Sequence, residues 1–221
     1  MKFVCASDIH GSSLALAAIS GTARECKADG ILLAGDIVVH HVYNSFLKLL
    51  YDAADHARCP IILTLGNHDR LDPAKYFPDS AAYIDGTKPI TRKSVACLIE
   101  QQVEFQGLKI WGSPFTTRFQ EWAWQRDVPD AKFVIPKDTD ILLTHECVFG
   151  KGDSNSDCSR MGCEILAEAV EATPHLRLHI FGHCHASGGY EGMIGNTLLL
   201  NVACHDEDLN FVKERIRIVE V

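Results

Sequence analysis

The sequence predicts an α/β fold in which parallel β-strands alternate with α-helices. Five short apolar runs, each followed at once by polar residues, are predicted as buried strands: residues 2–6, 30–34, 60–65, 140–144 and 178–181. Between the first three runs, residues 14–19 and 42–57 have the apolar spacing of amphipathic helices. Parallel strands need long connections, which helices supply, so this alternation favours a layered α/β arrangement.

The second half of the chain contains more β signals. Strands are predicted at residues 96–100, 103–105 and 108–111, and a hairpin at residues 193–200 turns at Gly195 and Asn196. Residues 211–221 alternate β-branched and charged side chains, which is typical of an edge or exposed-face strand. Residues 113–126 are expected to be irregular and to lead into a short helix.

Length and composition favour one globular unit. The 221 residues are 47% hydrophobic and 23% charged, as in globular proteins in general. No repeat, low-complexity tract or linker interrupts them, so we expect residues 1–221 to form a single domain. No apolar run approaches the ~20 residues of a membrane-spanning helix, and the start does not resemble a secretory signal. We therefore expect a cytoplasmic protein without membrane contact.

Charge and cysteine content make some classes of partner and bond unfavourable. With 21 Lys+Arg against 29 Asp+Glu, the formal net charge is -8, which makes a nucleic acid an unlikely partner. Nine cysteines occur singly, which is more typical of reduced thiols than of a disulfide framework. Cys158 and Cys163 are weak support for a zinc site because a second pair is missing. No protein partner can be inferred.

Residues that can bind metal ions follow all five buried strands. In open α/β sheets, ligands bind at the carboxyl ends of the strands, where these side chains would converge. The set has two carboxylates, one carboxamide and four imidazoles: Asp8, His10, Asp36, Asn67, His145, His183 and His185. This mixture suits Mn, Fe, Zn, Co or Ni better than Ca. Seven ligands exceed the needs of one ion, so we expect two divalent ions about 3.5–4 Å apart, with Asp36 as the bridge.

Two of these motifs place ligands two residues apart. In Asp8-x-His10 and His183-x-His185, extended backbone would send both side chains to one side and the intervening residue to the other. Each pair could then face the same ion cluster. The same spacing predicts that the sulfur of Cys184 points away from the ions and has a packing role.

The five motifs, in this order, resemble the calcineurin-like metallophosphoesterase superfamily. Its pattern D-x-H, G-D, G-N-H-[DE], H and G-H-x-H is filled at every position between residues 8 and 185. The strings Trp-Gly-Ser-Pro-Phe at 111–115 and Met-Gly-Cys at 161–163 are similar to the short metallophosphoesterase-domain branch, which is associated with cyclic-nucleotide phosphodiesterase activity. The resemblance implies a four-layer αββα sandwich of two mixed β-sheets flanked by helices.

The resemblance also implies a role for each matching residue. One ion would be held by Asp8, His10 and His185, and the other by Asn67, His145 and His183, with Asp36 joining them. His68 would lie beside the substrate phosphate and protonate the leaving oxygen, and Asp69 would orient it.

The expected activity is therefore hydrolysis of a small phosphodiester, such as a cyclic nucleotide, by attack of a metal-bridging hydroxide. Manganese is the first candidate for the two ions, with Fe, Zn, Co and Ni as alternatives. Two other functions stay open: a phosphomonoesterase acting on a phosphoprotein or metabolite, and a non-catalytic scaffold of the same fold.

Several other features have two interpretations. His40 and His41 could touch substrate, although a solvated loop is favoured. Residues 150–162 could form a lid over the phosphate or an ordinary loop. Large aromatic side chains could stack on a nucleobase, although core packing is favoured; they are Trp111, Phe115, Trp122 and Trp124.

Overall fold

A computed structural model describes residues 1–38, 43–127 and 132–221. His40 and His41 lie outside the described residues. Within these ranges the helices are α1 (Ser13–Cys26), α2 (Tyr43–Ala57), α3 (Pro73–Tyr76), α4 (Ser80–Ile84) and α5 (Glu164–Glu171), with 3-10 turns at His185–Ser187 and Lys213–Arg215. None of the described helices has the length and apolar character needed to cross a lipid bilayer.

The strands of the described ranges are β1 (Lys2–Ala6), β2 (Gly30–Ala34), β3 (Ile61–Thr64), β4 (Val95–Cys97), β5 (Gln101–Phe105), β6 (Leu108–Ser113), β7 (Thr116–Thr117), β8 (Gln125–Arg126), β9 (Ile141–Thr144), β10 (Leu178–Phe181), β11 (Glu191–Ile194), β12 (Thr197–Asn201) and β13 (Arg217–Glu220). They form two large sheets and the short pair β7-β8.

The first sheet has the strand order β13-β1-β2-β3-β4. Strands β1 to β4 are parallel, and β13 pairs antiparallel with β1 at the edge. The carboxy-terminal edge strand predicted from alternating residues is therefore present.

The second sheet has the order β11-β12-β10-β9-β6-β5. Its inner strands β12, β10, β9 and β6 are parallel, and antiparallel hairpins close both edges. The predicted hairpin forms between β11 and β12, with Gly195 at a positive φ of 54° in the turn.

Alternating side chains within each strand build the layers, because successive residues of a strand face opposite sides. Leu33 in β2 packs into the cluster beneath α1 and α2, whereas Leu32 faces the second sheet. Leu143 in β9 faces the first sheet, whereas Leu142 packs beneath α5. The four-layer αββα sandwich of two mixed sheets is thereby confirmed.

The loop between β1 and α1 ends at a capped helix start. The Ser12 side chain accepts a hydrogen bond from the Ala15 amide at 3.2 Å, which satisfies one of the free amides of the first turn. At the other end, Lys27 adopts the left-handed conformation that commonly ends a helix. Residues 7–12 are thus held between two fixed elements.

Residues 113–126 contain a strand pair and no helix, which differs from the irregular segment expected there. This segment instead forms the pair β7-β8, in which the Thr116 amide donates to the Trp124 carbonyl at 2.9 Å. The Ala123 amide donates to the Asn67 carbonyl at 3.0 Å, and the Trp124 indole donates to the Asp69 carbonyl at 2.8 Å. Contacts with the loop after β3 therefore give this segment a defined structure.

Candidate metal centre

The seven predicted ligands lie together at the carboxyl ends of strands from both sheets. Asp8 and His10 follow β1, Asp36 follows β2 and Asn67 follows β3. His145 follows β9, and His183 and His185 follow β10. Because the two sheets pack face to face, side chains up to 177 residues apart in the chain come into contact.

One group of possible metal ligands consists of Asp8, His10 and His185, whose donor atoms lie within 4.8 Å of one another. The His185 Nε2 atom is 3.1 Å from Asp8 Oδ1 and 3.2 Å from His10 Nε2. His10 Nε2 lies 3.9 Å from the same Asp8 oxygen. These are the three residues that the resemblance assigns to one ion.

A second group consists of Asp8, Asp36 and His145, so Asp8 belongs to both groups. His145 Nε2 lies 3.3 Å from Asp36 Oδ2 and 3.0 Å from Asn67 Oδ1. The same Asp36 oxygen is 3.8 Å from His10 Nε2, which belongs to the first group. The ring of His183 packs against that of His145, with 5.0 Å between centroids.

The hydrogen bonds of two imidazoles direct their lone pairs into the centre. Carbonyl oxygens can only accept, so Nδ1 of His145 donates to the Ala34 carbonyl and Nδ1 of His185 donates to the Asp206 carbonyl, both at 2.9 Å. In the neutral ring, Nε2 is then free to bind a cation, as is usual for metal-binding histidines. The donor set and its orientation therefore fit divalent metal ions.

Charge coupling stabilises the ionised form of the two carboxylates. Burial opposes ionisation of Asp8 and Asp36, but the neighbouring imidazoles, chiefly His185 for Asp8 and His145 for Asp36, hold both pKa values well below the usual range. The converse applies to the imidazoles. Although burial opposes their protonation, the carboxylates raise the pKa of His145 to about 10 and that of His185 to about 9.

The other two imidazoles respond mainly to burial. Burial lowers the pKa of His183 to about 4, and His145 adds to this effect. Burial also lowers the pKa of His10, although Asp36 and Asp8 oppose it. Both rings therefore favour the neutral form, which is the form that binds metal ions.

The ligand pairs do not have the extended backbone that their spacing predicted. Asp8, His10, Asp36 and His183 have φ values of 56°, 48°, 50° and 68°, in the left-handed region. Non-glycine residues adopt this region at an energetic cost, and such residues concentrate at functional sites. The side chains converge because tight turns, rather than straight strands, carry them.

Glycines before the ligands allow this close approach. A side chain at Gly66 would collide with Asp36, and one at Gly182 would collide with Asp8 and Ser7. The glycine in the G-N-H-D and G-H-x-H motifs thus makes room for a ligand from another strand.

His68 lies at the edge of the candidate centre with 31% of its side chain exposed. Its amide donates to Asp36 Oδ1 at 2.8 Å, and its Nε2 atom is 4.0 Å from Asp36 Oδ2. The indole of Trp122 packs on the imidazole with 4.2 Å between ring centroids. The ring is therefore held beside the candidate ligands and open to solvent.

Asp69 is placed differently from the expectation that it orients the His68 ring. Its fully buried carboxylate accepts hydrogen bonds from the amides of Ile37, Val38 and Gly66, at 2.8–3.1 Å. Burial, with a contribution from Asp36, raises its pKa to about 7. As placed, Asp69 holds the loops after β2 and β3 together, and any effect on His68 is exerted through the backbone.

Sequence reasoning missed a group of supporting residues near the carboxy terminus. His205 Nδ1 donates to the Asp8 carbonyl at 2.7 Å. The Arg215 guanidinium donates to the carbonyls of His185 and His205, at 3.0 and 2.9 Å. These bonds use backbone acceptors, so no sequence motif predicts them. The position of His205 shortly after β12 was the one feature of the sequence that could have pointed to this support.

A cleft of about 520 Å³ opens above the candidate ligands. Its polar lining includes His10, Asp36 and His68. Its apolar lining includes Phe119 and Leu209, whose exposed fractions are 67% and 57%. Trp122 also lines the cleft, whereas Trp111 is buried in the core.

Residues 150–162 form a loop around the buried carboxylate of Asp153. Asp153 accepts hydrogen bonds from the amides of Gly150 and Gly162, at 2.9 and 3.2 Å, and from Arg160 at 2.7 Å. Asn155 and Met161 of this loop line the cleft. The loop therefore contributes part of the cleft lining.

The family of the chain follows from comparison with known proteins. Residues 1–187 match the family described as Calcineurin-like phosphoesterase. The chain therefore belongs to this family, whose members are hydrolases of phosphate esters and typically bind two divalent metal ions.

Two curated relatives illustrate the range of similar proteins. The chain is 26% identical over 229 residues to Metallophosphoesterase domain-containing protein 1 of Homo sapiens, covering 91% of this chain and 65% of the relative. It is 29% identical over 198 residues to Probable rhamnogalacturonate lyase C of Emericella nidulans, covering 86% of this chain and 17% of the relative. The chain thus spans less than two thirds of the length of these relatives.

Solved structures show the same fold. TT1561 of Thermus thermophilus superposes with a TM-score of 0.66 at 16% identity, covering 99% of this chain and 98% of that one. A dimetal phosphatase of Danio rerio gives 0.57 at 10% identity, with 91% and 86% covered. An archaeal phosphodiesterase gives 0.51 at 14% identity, with 99% of each chain covered. At these identities the likeness concerns the fold alone.

Proposed function

We propose that the chain is a dinuclear metal-dependent phosphoesterase that hydrolyses small phosphodiesters, with cyclic nucleotides as first candidates. The observation that carries this proposal is the convergence of five donor side chains in two overlapping ligand groups, with Asn67 and His183 beside His145, in a member of a phosphoesterase family. Asp8, His10 and His185 would hold one ion, and Asn67, His145 and His183 would hold the other. Asp36 would contribute to both ions, as would Asp8, which belongs to both ligand groups.

Two divalent ions held there supply charge that activates water and neutralises the phosphoryl oxygens. The chain itself supplies negative charge and ring orientation for them. Asp8 and Asp36 stay ionised, and backbone carbonyls orient the rings of His145 and His185. Manganese is our first choice of metal, and Fe, Zn, Co or Ni suit the same donor set.

His68 is the proposed general acid. It stands at the cleft, where its ring can give a proton to the leaving oxygen while its amide stays fixed on Asp36. The packing of Trp122 limits rotation of the imidazole. Asp69 supports this arrangement by fixing the loop that carries His68.

The cleft supports a diester substrate over a monoester. None of the described residues that line it is a lysine or arginine, and Asp36 and Glu207 add negative charge. Near neutral pH a diester carries one negative charge and a monoester close to two, and no basic side chain among these lining residues is available to pair with the second charge. Phe119 and Leu209 offer an apolar surface that suits a planar base.

A comparison of matched substrates tests the proposal. The chain would be supplied with MnCl₂ and assayed on bis(4-nitrophenyl) phosphate against 4-nitrophenyl phosphate, and on cyclic AMP against AMP. We expect kcat/KM at least about tenfold higher for each diester, with activity lost in EDTA. A preference for the monoesters would identify a phosphomonoesterase instead, and a metal-loaded protein inert toward all four would favour the scaffold.

A further inference from the structure

Two buried thiols touch beneath the candidate centre. The Sγ atoms of Cys147 and Cys184 are 2.7 Å apart, and both side chains are almost fully excluded from solvent. The distance in a disulfide is about 2.05 Å, so the two sulfur atoms need to approach by only about 0.65 Å to form the bond.

The two cysteines belong to loops that carry candidate ligands. Cys184 lies between His183 and His185, and Cys147 is two residues after His145. The loops follow β9 and β10, which are neighbouring parallel strands. A bond between the sulfur atoms would therefore connect the segments that hold three of the four candidate imidazole ligands.

One of the two thiols can be reached from the cleft. Cys184 is 4% exposed and lines the cleft above the candidate ligands, whereas Cys147 lies behind it with no exposure. A molecule as small as hydrogen peroxide can follow the substrate path to Cys184. The thiol behind it is then in place to react with the oxidised sulfur.

We propose that Cys147 and Cys184 form a reversible disulfide under oxidation by a hydroperoxide. In the first step, the Cys184 sulfur takes one oxygen from hydrogen peroxide, which gives a sulfenic acid and releases one water. In the second step, the Cys147 sulfur displaces that oxygen, which gives the disulfide and releases a second water. The two thiols lose two electrons in total, and the peroxide gains them.

The disulfide is expected to weaken metal binding, and this expectation rests on the proposed function. Drawing Cys184 toward Cys147 shifts the backbone between His183 and His185, and ligand geometry must be kept to about 0.5 Å for full function. We therefore expect the oxidised protein to bind Mn²⁺ about tenfold more weakly, as when supporting contacts of a ligand are lost. A thiol reductant should restore the affinity.

The test uses the full chain with Cys158→Ser, which removes the exposed thiol that would otherwise react. After hydrogen peroxide treatment, the intact mass should fall by about 2 Da, the mass of two hydrogen atoms. Peptide mapping should link Cys147 to Cys184. Adding Cys147→Ala should remove both the mass change and the linked peptide. Adding Cys59→Ala should remove neither, because Cys59 is a buried thiol in the core between the first sheet and helices α1 and α2.

The outcomes separate the two levels of the inference. Absence of the linked peptide, or its replacement by other pairs, would overturn the disulfide. A linked peptide with unchanged Mn²⁺ affinity by calorimetry would overturn its effect on the metal. If the reduced chain binds no Mn²⁺ at all, the proposed function fails while the mapped disulfide still stands.

Discussion

Residues 1–187, which match the family, and residues 188–221, which lie beyond the match, contribute to the candidate centre in different ways. The first region carries all seven candidate ligands and His68. The second carries none of them, but it supplies the bonds from His205 and Arg215 that fix the backbone of Asp8 and His185. The donors are thus encoded in motifs, and part of their support lies in a segment without any motif.

The largest effect is expected for Asp36→Asn, which removes the charge between the two ligand groups but keeps an oxygen for the His68 amide. We expect kcat on a diester to fall by about 10³-fold, because charge stabilisation is a major term in such reactions. Bound Mn²⁺, measured by elemental analysis, should also fall below two per chain.

Asp55→Asn is the matched control, because Asp55 is an exposed carboxylate paired with Lys93. It should leave both quantities unchanged. If Asp36→Asn kept two ions and turnover within tenfold of the unmodified chain, Asp36 would not be the bridge.

His68→Ala comes second. Loss of a general acid is expected to lower kcat on cyclic AMP by about 10²–10⁴-fold, with a smaller loss on bis(4-nitrophenyl) phosphate, whose leaving group needs no proton. Mn²⁺ content should not change. His175→Ala, at an exposed histidine, serves as the control, and an equal loss on both substrates would remove His68 from the role of acid.

Arg215→Leu tests whether residues 188–221 support the candidate ligands. Without the guanidinium, the carbonyls of His185 and His205 lose their donor, and we expect Mn²⁺ affinity to fall by about tenfold, as for supporting residues of metal sites. Lys213→Leu removes the same charge from an exposed position nearby and should have little effect. Equal calorimetric affinities for both variants would show that the support from this segment is dispensable.

The smallest expected effect concerns His179, a buried histidine outside the candidate ligand set, and the pH dependence of stability. His179 in β10 is buried, its Nε2 lies 2.8 Å from Thr144 Oγ1, and burial lowers its pKa to about 3. Below about pH 6.5, His179 therefore stays neutral in the folded chain but is protonated in the unfolded chain. Protonation of the unfolded chain therefore lowers the free energy of unfolding as the pH falls from about 6.5 toward 3, by at most about 1.4 kcal/mol per pH unit. Above about pH 6.5 this loss is absent.

Urea unfolding of the metal-free chain and of His179→Gln checks this sign. The stability advantage of the unmodified chain should shrink between about pH 7 and pH 5, since only its histidine resists protonation. A constant difference in the free energy of unfolding over that range would mean that His179 is protonated as readily in the folded chain as in the unfolded chain.

The sequence predicted the positions of the donors better than their geometry. Strand ends placed Asp8, Asp36 and His145 together, because parallel strands bring their carboxyl ends to one edge. The left-handed turns at Asp8 and His183 were not predictable from spacing alone, since they depend on neighbouring glycines and on contacts between the sheets. The placement of Asp69 on backbone amides was missed for the same reason.

The carboxy-terminal support and the β7-β8 pair were missed because both depend on long-range bonds to main-chain atoms. Arg215 contacts carbonyls up to 30 residues away, and Trp124 contacts a carbonyl 55 residues away. A local pattern cannot report such contacts. Tertiary structure decided these elements against their local spacing.

The central claim is that this set of side chains holds two metal ions, and anomalous diffraction tests it most directly. Crystals of the chain grown with MnCl₂ should show two manganese peaks about 3.5–4 Å apart. One should lie among Asp8, His10 and His185, and the other beside Asn67, His145 and His183, with Asp36 between them. A single peak, or peaks away from these residues, would contradict the account.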